Sequence, residues 1–168
     1  PKTKSKFKYK DSTLRDFGRI FSPLEIGKYS AKIKNICDYI KKSKGLVFIF
    51  SQYIDSGAIP IALALEEMGF SRNSTNNLFE KPLSKPVDYI NMNTITKDSE
   101  IKITAKYAMI TGDKQLTPNL KKELKLVTDP ENVDGKQIKV VIVTRAGSEG
   151  LDFSFIRQMH ILDSWYNI

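Results

Sequence analysis

The strongest constraint on the fold comes from two stretches that are apolar without interruption. Residues 46–50 read LVFIF and residues 140–143 read VVIV, so both faces of each extended strand are apolar. A strand with one face in water alternates apolar and polar residues, whereas an unbroken run is typical of a strand covered on both faces. Helical patterns separate these runs along the chain. The sequence therefore predicts an α/β fold, with a mostly parallel sheet and helices on both of its faces.

The helical patterns lie at 29–44, 56–69 and 117–129. In the first, apolar residues recur every three or four positions, and Ser30 is a candidate N-cap. The second ends at Gly69, and the third offers Thr117 as N-cap with Pro118 at the first helical position. Two further strands are expected, within 105–113 and 157–167.

Length and charge suggest how the chain is organised. A chain of 168 residues that is 40% hydrophobic suits one globular domain. The net charge is +8, but the first ten residues alone contain five lysines and no acid. We predict a basic N-terminal arm or linker at 1–28 and the domain proper at 29–168. The polar stretch 71–104 contains two prolines and predicts a surface insertion.

Composition excludes several classes of protein. The single cysteine, Cys37, excludes an intramolecular disulfide framework and a cysteine-based zinc cage. Its helical context predicts a buried apolar residue, and His160, inside an apolar run, is interpreted as a structural strand histidine. No apolar run approaches the roughly 20 residues that cross a bilayer, and no signal-peptide pattern begins the chain. We expect an intracellular protein without a membrane partner.

The stretch VTRAGSEGLDF (143–153) places small and polar residues directly after a buried strand. Its Gly-Ser-Glu-Gly order does not fit the G-x-S-x-G nucleophile elbow, and its two glycines do not make a dinucleotide fingerprint. A plain tight turn into a helix is one reading. The other is a phosphate-binding loop, with hydroxyl donors at Thr144 and Ser148 and an acceptor at Asp152. The residues alone leave these two readings open.

This stretch resembles motif V of superfamily 2 helicases, T-x-x-x-S/A-x-G-[LI]-D, at Thr144, Ser148, Gly150, Leu151 and Asp152. Other landmarks of the family occur in the expected order. GLVFIFSQY is similar to motif IV, MITGDKQ is similar to a strand-end HGD element, and IRQMHILDSWYN is similar to the strand before motif VI. The finer pattern is similar to helicases of large nucleocytoplasmic DNA viruses, the group of the poxvirus early transcription factor ATPase and nucleoside triphosphate phosphohydrolase.

The resemblance implies a RecA-like three-layer sandwich, the C-terminal lobe of an ATP-dependent nucleic-acid translocase or helicase. It implies nucleic-acid contacts at Ser51, Gln52, Thr111, Gly112, Asp113, Thr144, Arg145 and Gly147. It implies ATP contacts at Gly150 and Asp152, and no catalytic or metal-binding residue is assigned. From the residues themselves, Asp113 could equally cap the turn before the next helix.

Several elements of a complete motor are absent from the sequence. There is no G-x-x-x-x-G-K-[ST] phosphate loop, no strand that ends in Asp-Glu, and no Q-x-x-G-R-x-x-R of motif VI before Ile168. We therefore expect a lobe truncated before motif VI. ATP and Mg²⁺ would belong to the full-length enzyme, where they are held mainly by an N-terminal lobe. The 168 residues alone are expected to bind neither and to be inactive.

Two other classes of function remain open. The chain could be a non-catalytic nucleic-acid-binding module that uses its phosphate-binding loops and basic arm. It could also be a docking module of a viral transcription or virion complex, with 71–104 as the insertion that binds the partner. A viral protein of this kind would reside in the host cytoplasm or the virion, with the transcription machinery as a partner.

Overall fold

The computed structural model describes residues 6–73, 75–148 and 152–164. Six helices and five strands occur in these ranges. The helices are α1 (Asp11–Phe17), α2 (Ile26–Tyr29), α3 (Ala31–Lys42), α4 (Ile59–Glu67), α5 (Leu120–Val127) and α6 (Arg145–Ser148). The strands are β1 (Leu46–Ser51), β2 (Ser71–Arg72), β3 (Lys106–Ile110), β4 (Val140–Thr144) and β5 (Ile156–Ile161). A π-helical turn (Ile54–Ala58) precedes α4, and a 3-10 turn (Pro130–Asn132) follows α5.

The five strands form one sheet in the order β2-β3-β4-β1-β5, and every neighbouring pair is parallel. The two strands predicted from unbroken apolar runs, β1 and β4, are neighbours near the middle of the sheet. Their pairing ends with Ser51 opposite Thr144. The carboxyl ends of the parallel strands therefore meet along one edge of the sheet.

Apolar side chains cover the sheet on both faces. One cluster joins α3 and α4 to the sheet through residues such as Ile40, Leu65 and Ile142. The other lies under α5 and includes Phe48 and Val141. Because neighbouring residues of one strand belong to different clusters, both faces of β1 and β4 are buried. The predicted α/β sandwich with helices on both faces is confirmed.

The helix starts follow the sequence in one case and depart from it in another. The Ser30 hydroxyl accepts a hydrogen bond from the Ile33 amide at 3.2 Å, so the predicted N-cap of α3 is confirmed. The prediction for Thr117 is wrong, because α5 begins only at Leu120. Thr117 instead accepts from the Thr111 amide at 3.0 Å and donates to the Met109 carbonyl at 3.0 Å. Its hydroxyl joins the turn to the end of β3.

Part of the segment predicted as an arm packs against the body of the domain. Phe7 forms a β-bridge with Phe79, and the Tyr9 hydroxyl donates to the buried Glu67 carboxylate at 2.8 Å. The Arg19 guanidinium pairs with the same carboxylate. The segment 71–104 also contributes to the core, through Leu78, Phe79, Val87 and Tyr89. Both segments thus bury side chains within the described residues.

No helix within the described residues is both long enough and apolar enough to cross a membrane.

Candidate nucleic-acid interface

The polar residues predicted to bind a ligand lie where the parallel strands end. We call this edge the carboxyl rim; it comprises residues 51–53, 111–117, 144–148 and 162–164. The pairing of Ser51 with Thr144 and of Ile110 with Val143 places the ends of β1, β4 and β3 side by side. Ligands of open α/β sheets bind at this edge because loops, rather than helices, cover it. The structure therefore brings the predicted nucleic-acid contacts together.

At the β1 end of the rim, the polar groups are already engaged by the protein itself. The backbone amide of Gln52 donates to the Asp163 carboxylate, at 2.7 Å to Oδ2 and 3.1 Å to Oδ1. The Ser51 hydroxyl is fully buried and donates to the Tyr53 carbonyl at 2.9 Å. We call Ser51, Gln52, Tyr53 and Asp163 the closed corner. A negative charge occupies the place where an incoming phosphate would meet the Gln52 amide.

A glycine allows the closed corner to be this compact. A Cβ on Gly57, in the π-helical turn, would lie 1.9 Å from the Ser51 hydroxyl oxygen. No side chain fits at that distance, so the turn can cross the end of β1 only with glycine there. The same hydroxyl also accepts from the Tyr53 amide at 3.3 Å. The Ser51 side chain is thus enclosed from two directions.

The turn after β3 holds its shape through its own hydroxyl and carboxylate groups. Thr111 is buried, and its hydroxyl lies 2.9 Å from that of Thr117. Asp113 accepts from the backbone amide of Gln115 at 2.6 Å and from that of Leu116 at 3.4 Å. Asp113 therefore caps the turn, which is one of the two interpretations that its sequence position allows. Gly112 and Lys114 remain exposed on the outer side of this turn.

The short helix α6 presses its backbone against the end of β3. A Cβ on Gly147 would lie 2.3 Å from the Ile110 carbonyl oxygen, and a Cβ on Gly112 would lie 2.6 Å from the Ala146 Cβ. Backbone atoms cannot give way as a flexible side chain can, so Gly147 is required for this close packing. Gly147 thus has a structural role at the predicted site, whether or not it also contacts a ligand.

Thr144 sits at the centre of the rim and is closed off from solvent. Its side chain is 1% exposed, and its hydroxyl has no hydrogen-bond partner among the described residues. Burying a hydroxyl without a partner costs about 1–3 kcal/mol, and most buried polar groups are paired. Arg145, the next residue, is exposed. In this arrangement Arg145 is accessible to a ligand, whereas the Thr144 hydroxyl is not.

The open part of the rim is a groove of about 700 Å³ between the Thr111–Thr117 turn, the start of α5 and α6. Among the described residues, its wall contains the lysines Lys114, Lys121 and Lys122 and no carboxylate side chain. We call this the open groove. It contains the predicted residues Thr111, Gly112 and Gly147. A concave surface with one sign of charge concentrates an oppositely charged ligand, here a chain of phosphates.

Sequence reasoning missed the three lysines of the open groove. A signal was present, since Lys121 and Lys122 open a helical pattern that directly follows a strand and its turn. Lysine pairs on helices usually form a solvated face, and only the tertiary structure shows that these two face the rim. They should have counted as candidates because the turn after a parallel strand lies at the carboxyl edge.

The predicted ATP contacts have a weaker structural basis. Gly150 lies outside the described residues, and Asp152 is exposed. Among the residues that the structure describes, no group of three or more His, Cys, Asp or Glu side chains could hold a metal ion. The exposed Asp152 carboxylate could accept a hydrogen bond from a nucleotide hydroxyl.

The cysteine and the histidine take structural positions. Cys37 is 3% exposed in the core, and burial raises the pKa of its thiol to about 12, which keeps it protonated and unreactive at neutral pH. His160 lies on β5 beside the Tyr39 ring, with centroids 5.9 Å apart, and burial lowers its pKa. Neither residue lies in the carboxyl rim. Both sequence interpretations are confirmed.

The chain is similar to viral proteins that are named as a termination factor homologue or as putative helicases. The chain is 30% identical over 150 residues to a protein named "Termination factor NPH-I homolog" of African swine fever virus, covering 82% of this chain and 21% of that protein. It is 26% identical to "Putative helicase 087L" of Invertebrate iridescent virus 3, covering 86% of this chain and 13% of the relative. It is 26% identical to "Putative ATP-dependent RNA helicase R563" of Acanthamoeba polyphaga mimivirus, covering 85% of this chain and 21% of that protein.

The chain thus spans about a fifth or less of the length of these relatives. No family model matches it, and no solved structure matches it. The chain is a homologue of these viral termination-factor and helicase proteins.

Proposed function

We propose that the chain is the C-terminal RecA-like lobe of an ATP-dependent, superfamily 2 nucleic-acid translocase or helicase. In this role it holds one strand by its phosphates in the open groove. The observation that carries the proposal is the open groove itself, where three lysines and a tight backbone turn form a wall that contains no carboxylate among the described residues. The relatives' names, two of which contain the word helicase, support the same conclusion.

The groove suits a motor that moves along any sequence. Lysine is a flexible point charge that can follow a phosphate without fixing its orientation. Gly112 is exposed and lines the groove, so its main chain is accessible to a sugar-phosphate backbone. Contacts of this kind position a strand but carry no base information. Binding should therefore be sequence-independent and strongly dependent on salt.

ATP would lie between this lobe and an N-terminal lobe that supplies the phosphate loop. On this chain Gly150 and Asp152 would face the nucleotide, and Asp152 can accept a hydrogen bond from a sugar hydroxyl. Bound ATP with Mg²⁺ supplies the free energy of hydrolysis that opens and closes the cleft between the lobes. The chain's own contribution is to hold the strand on one side of that cleft. An ATPase activity of the 168 residues alone is not expected.

The relatives also support a place in viral transcription. One of them is named a termination factor, and by homology the full-length parent of this chain would act on a transcription complex in the infected cell or the virion. The partner would be the transcription machinery together with its nucleic acid. The open groove would then hold a strand of that complex.

The test is a salt titration of single-strand binding by the 168-residue chain, with Lys114, Lys121 and Lys122 all changed to Gln. Each lost phosphate contact lowers the slope of log K against log salt by about 0.7 for a single strand, so the triple variant should lose about 2 from the slope. At low salt its affinity should fall by roughly tenfold or more, because each released counterion contributes favourably. Fluorescence anisotropy with a labelled oligonucleotide measures both quantities.

The matched control changes three exposed lysines at the opposite edge of the sheet, Lys42, Lys44 and Lys136, to Gln. It removes the same net charge but leaves the open groove intact. If the control loses as much affinity and slope as the groove variant, then net charge alone binds the strand and the proposed interface is wrong.

A further inference from the structure

A second cavity lies behind the turn that forms one wall of the open groove. It has a volume of about 310 Å³ and an apolar lining provided by Phe7, Ile54, Ile59, Leu78 and Leu116. Asn76 and Gln115, each with a side-chain amide, also line it. We call this cavity the amide pocket. Small-molecule sites commonly combine an apolar wall with a few polar groups in this way.

The side-chain amides of Asn76 and Gln115 are available to bind a ligand. Asn76 and Gln115 are both exposed, and neither side chain has a hydrogen-bond partner among the described residues. The neighbouring Asn77 is different, since its Oδ1 accepts from the Arg72 amide at 2.9 Å and fixes the loop. The Arg72 guanidinium in turn donates to the Leu116 carbonyl. The pocket therefore has a fixed frame and two unpaired groups, each able to donate and to accept.

The charges of the amide pocket differ from those of the open groove. Its lining contains two basic side chains, Lys6 and Arg72, and two acidic ones, Asp55 and Asp113. These charges cancel, so the pocket has no net attraction for a phosphate. The described lining of the open groove contains no acidic side chain to offset its three lysines. The pocket is suited to an uncharged ligand with apolar faces and a polar edge.

One turn separates the two cavities and contributes residues to both. Gly112 and Lys114 line the open groove, whereas Asp113, Gln115 and Leu116 line the amide pocket. A strand that lies across this turn has its phosphates on the lysine side and can direct a base to the other side. The two cavities thus match the two chemically different halves of one nucleotide.

We propose that the amide pocket receives one unstacked nucleobase of the strand whose phosphates lie in the open groove. The Phe7 ring, 37% exposed, supplies a face for stacking, and the amides of Asn76 and Gln115 meet the polar edge of the base. Because every base has an aromatic face and an amide can satisfy either a donor or an acceptor, this binding tolerates any sequence. The inference rests on the proposed function and adds a base contact to a phosphate interface.

The test compares two oligonucleotides of equal length, one normal and one with abasic sites, for binding to the 168-residue chain. The variants are Phe7→Leu and the double change Asn76→Ala with Gln115→Ala. Stacking on an aromatic side chain is worth roughly five- to a hundredfold in affinity per base, so Phe7→Leu should weaken binding of the normal oligonucleotide within that range. The abasic oligonucleotide should bind the parent about as weakly as the normal one binds the variant.

The salt slope should not change in these variants, because no phosphate contact is lost. The matched control combines Phe17→Leu with Asn35→Ala, two exposed positions away from both cavities, and should bind like the parent. Since Phe7 also forms a β-bridge, the amide double variant keeps the test valid if Phe7→Leu unfolds the segment.

The outcomes separate this inference from the proposed function. If the parent binds both oligonucleotides equally while the groove lysines still control the salt slope, the base pocket is wrong and the phosphate interface stands. If the lysine variants have no effect, or if no strand binds, both proposals are overturned.

Discussion

The closed corner and the open groove lie on the same edge of the same sheet, and they treat an incoming anion in opposite ways. At the closed corner the Gln52 amide is taken by the Asp163 carboxylate, and Ser51 is fully buried. In the open groove the lysines Lys121 and Lys122 face a volume of about 700 Å³. Both regions follow buried parallel strands, so strand topology alone would favour either of them as a phosphate site.

The difference shows what a rim residue needs before it can bind a ligand. Ser51 and Gln52 have suitable donors, but the protein uses them to close the sheet edge. At the turn after β3, Thr117 and Asp113 accept hydrogen bonds from the backbone amides of the turn. Gly112 and Lys114 remain exposed to solvent. A residue at a motif position is therefore a candidate for ligand binding only if its hydrogen-bonding groups are not already paired within the protein.

The largest expected effect comes from the glycines that each region needs. Gly57→Ala places a Cβ 1.9 Å from the Ser51 hydroxyl, and Gly147→Ala places one 2.3 Å from the Ile110 carbonyl. Each should lower the free energy of unfolding by about 1–3 kcal/mol, the usual cost of overpacking. Only Gly147→Ala should also weaken single-strand binding at temperatures where both variants are folded.

Urea unfolding and anisotropy on both glycine variants measure the two effects. Equal loss of strand binding in Gly57→Ala would show that the closed corner is part of the interface, and the contrast between the regions would disappear.

The next effect concerns the carboxylate that closes the β1 end. Asp163→Ala leaves the Gln52 amide without its acceptor and should reduce the free energy of unfolding by about 1–2 kcal/mol. It also removes a negative charge from the rim, so single-strand affinity should rise rather than fall. Asp152→Ala, at an exposed carboxylate, is the control for charge alone. A fall in affinity on removing Asp163 would contradict the assignment of the corner as closed.

A smaller effect is expected at Thr144, between the two regions. Because its hydroxyl is buried without a partner, Thr144→Val should raise the free energy of unfolding by about 1 kcal/mol. If α6 moves on binding and exposes this hydroxyl to a phosphate, the same variant should bind a strand more weakly. Unchanged affinity with raised stability would instead assign Thr144 to the core.

The smallest effect is the pH dependence contributed by His160, which lies on β5, the strand that leads into Asp163. Burial lowers its pKa, so the folded state binds the proton less readily than the unfolded state, where the pKa is about 6.5. Its contribution to stability is complete above that value and is lost as the pH falls through the folded-state pKa. His160→Gln should flatten the dependence of stability on pH as the pH falls below about 6.5, the pKa of histidine in the unfolded state. If the pH dependence of stability is unchanged in His160→Gln, then His160 does not contribute to it.

Much of the fold could be predicted from residue patterns. Unbroken apolar runs identified β1 and β4, and Ser30 identified the start of α3, because such local patterns depend on burial and capping that recur in all proteins. The start of α5 could not be predicted in this way. Thr117 and Pro118 match a helix start, yet the Thr117 hydroxyl bonds to Met109 and Thr111, residues whose nearness depends on the turn.

The candidate site shows the same division. The order of the motifs placed the candidate residues at the ends of strands, and the structure brings these strand ends together at the rim. The motif order did not indicate that Asp163 would occupy the Gln52 amide, since these residues are 111 positions apart in the chain. Nor did it indicate the lysines of α5. Their place in the open groove depends on the turn after β3 and on α6, which lie beside them only in the folded chain.

The sequence by itself determined the layered α/β architecture and the edge of the sheet at which the candidate site lies, because apolar periodicity dictates which surfaces must be buried. Only the tertiary structure decided which donors on that edge remain free and which charges converge there. Those properties depend on contacts between segments distant in the chain, and no local pattern of residues encodes them.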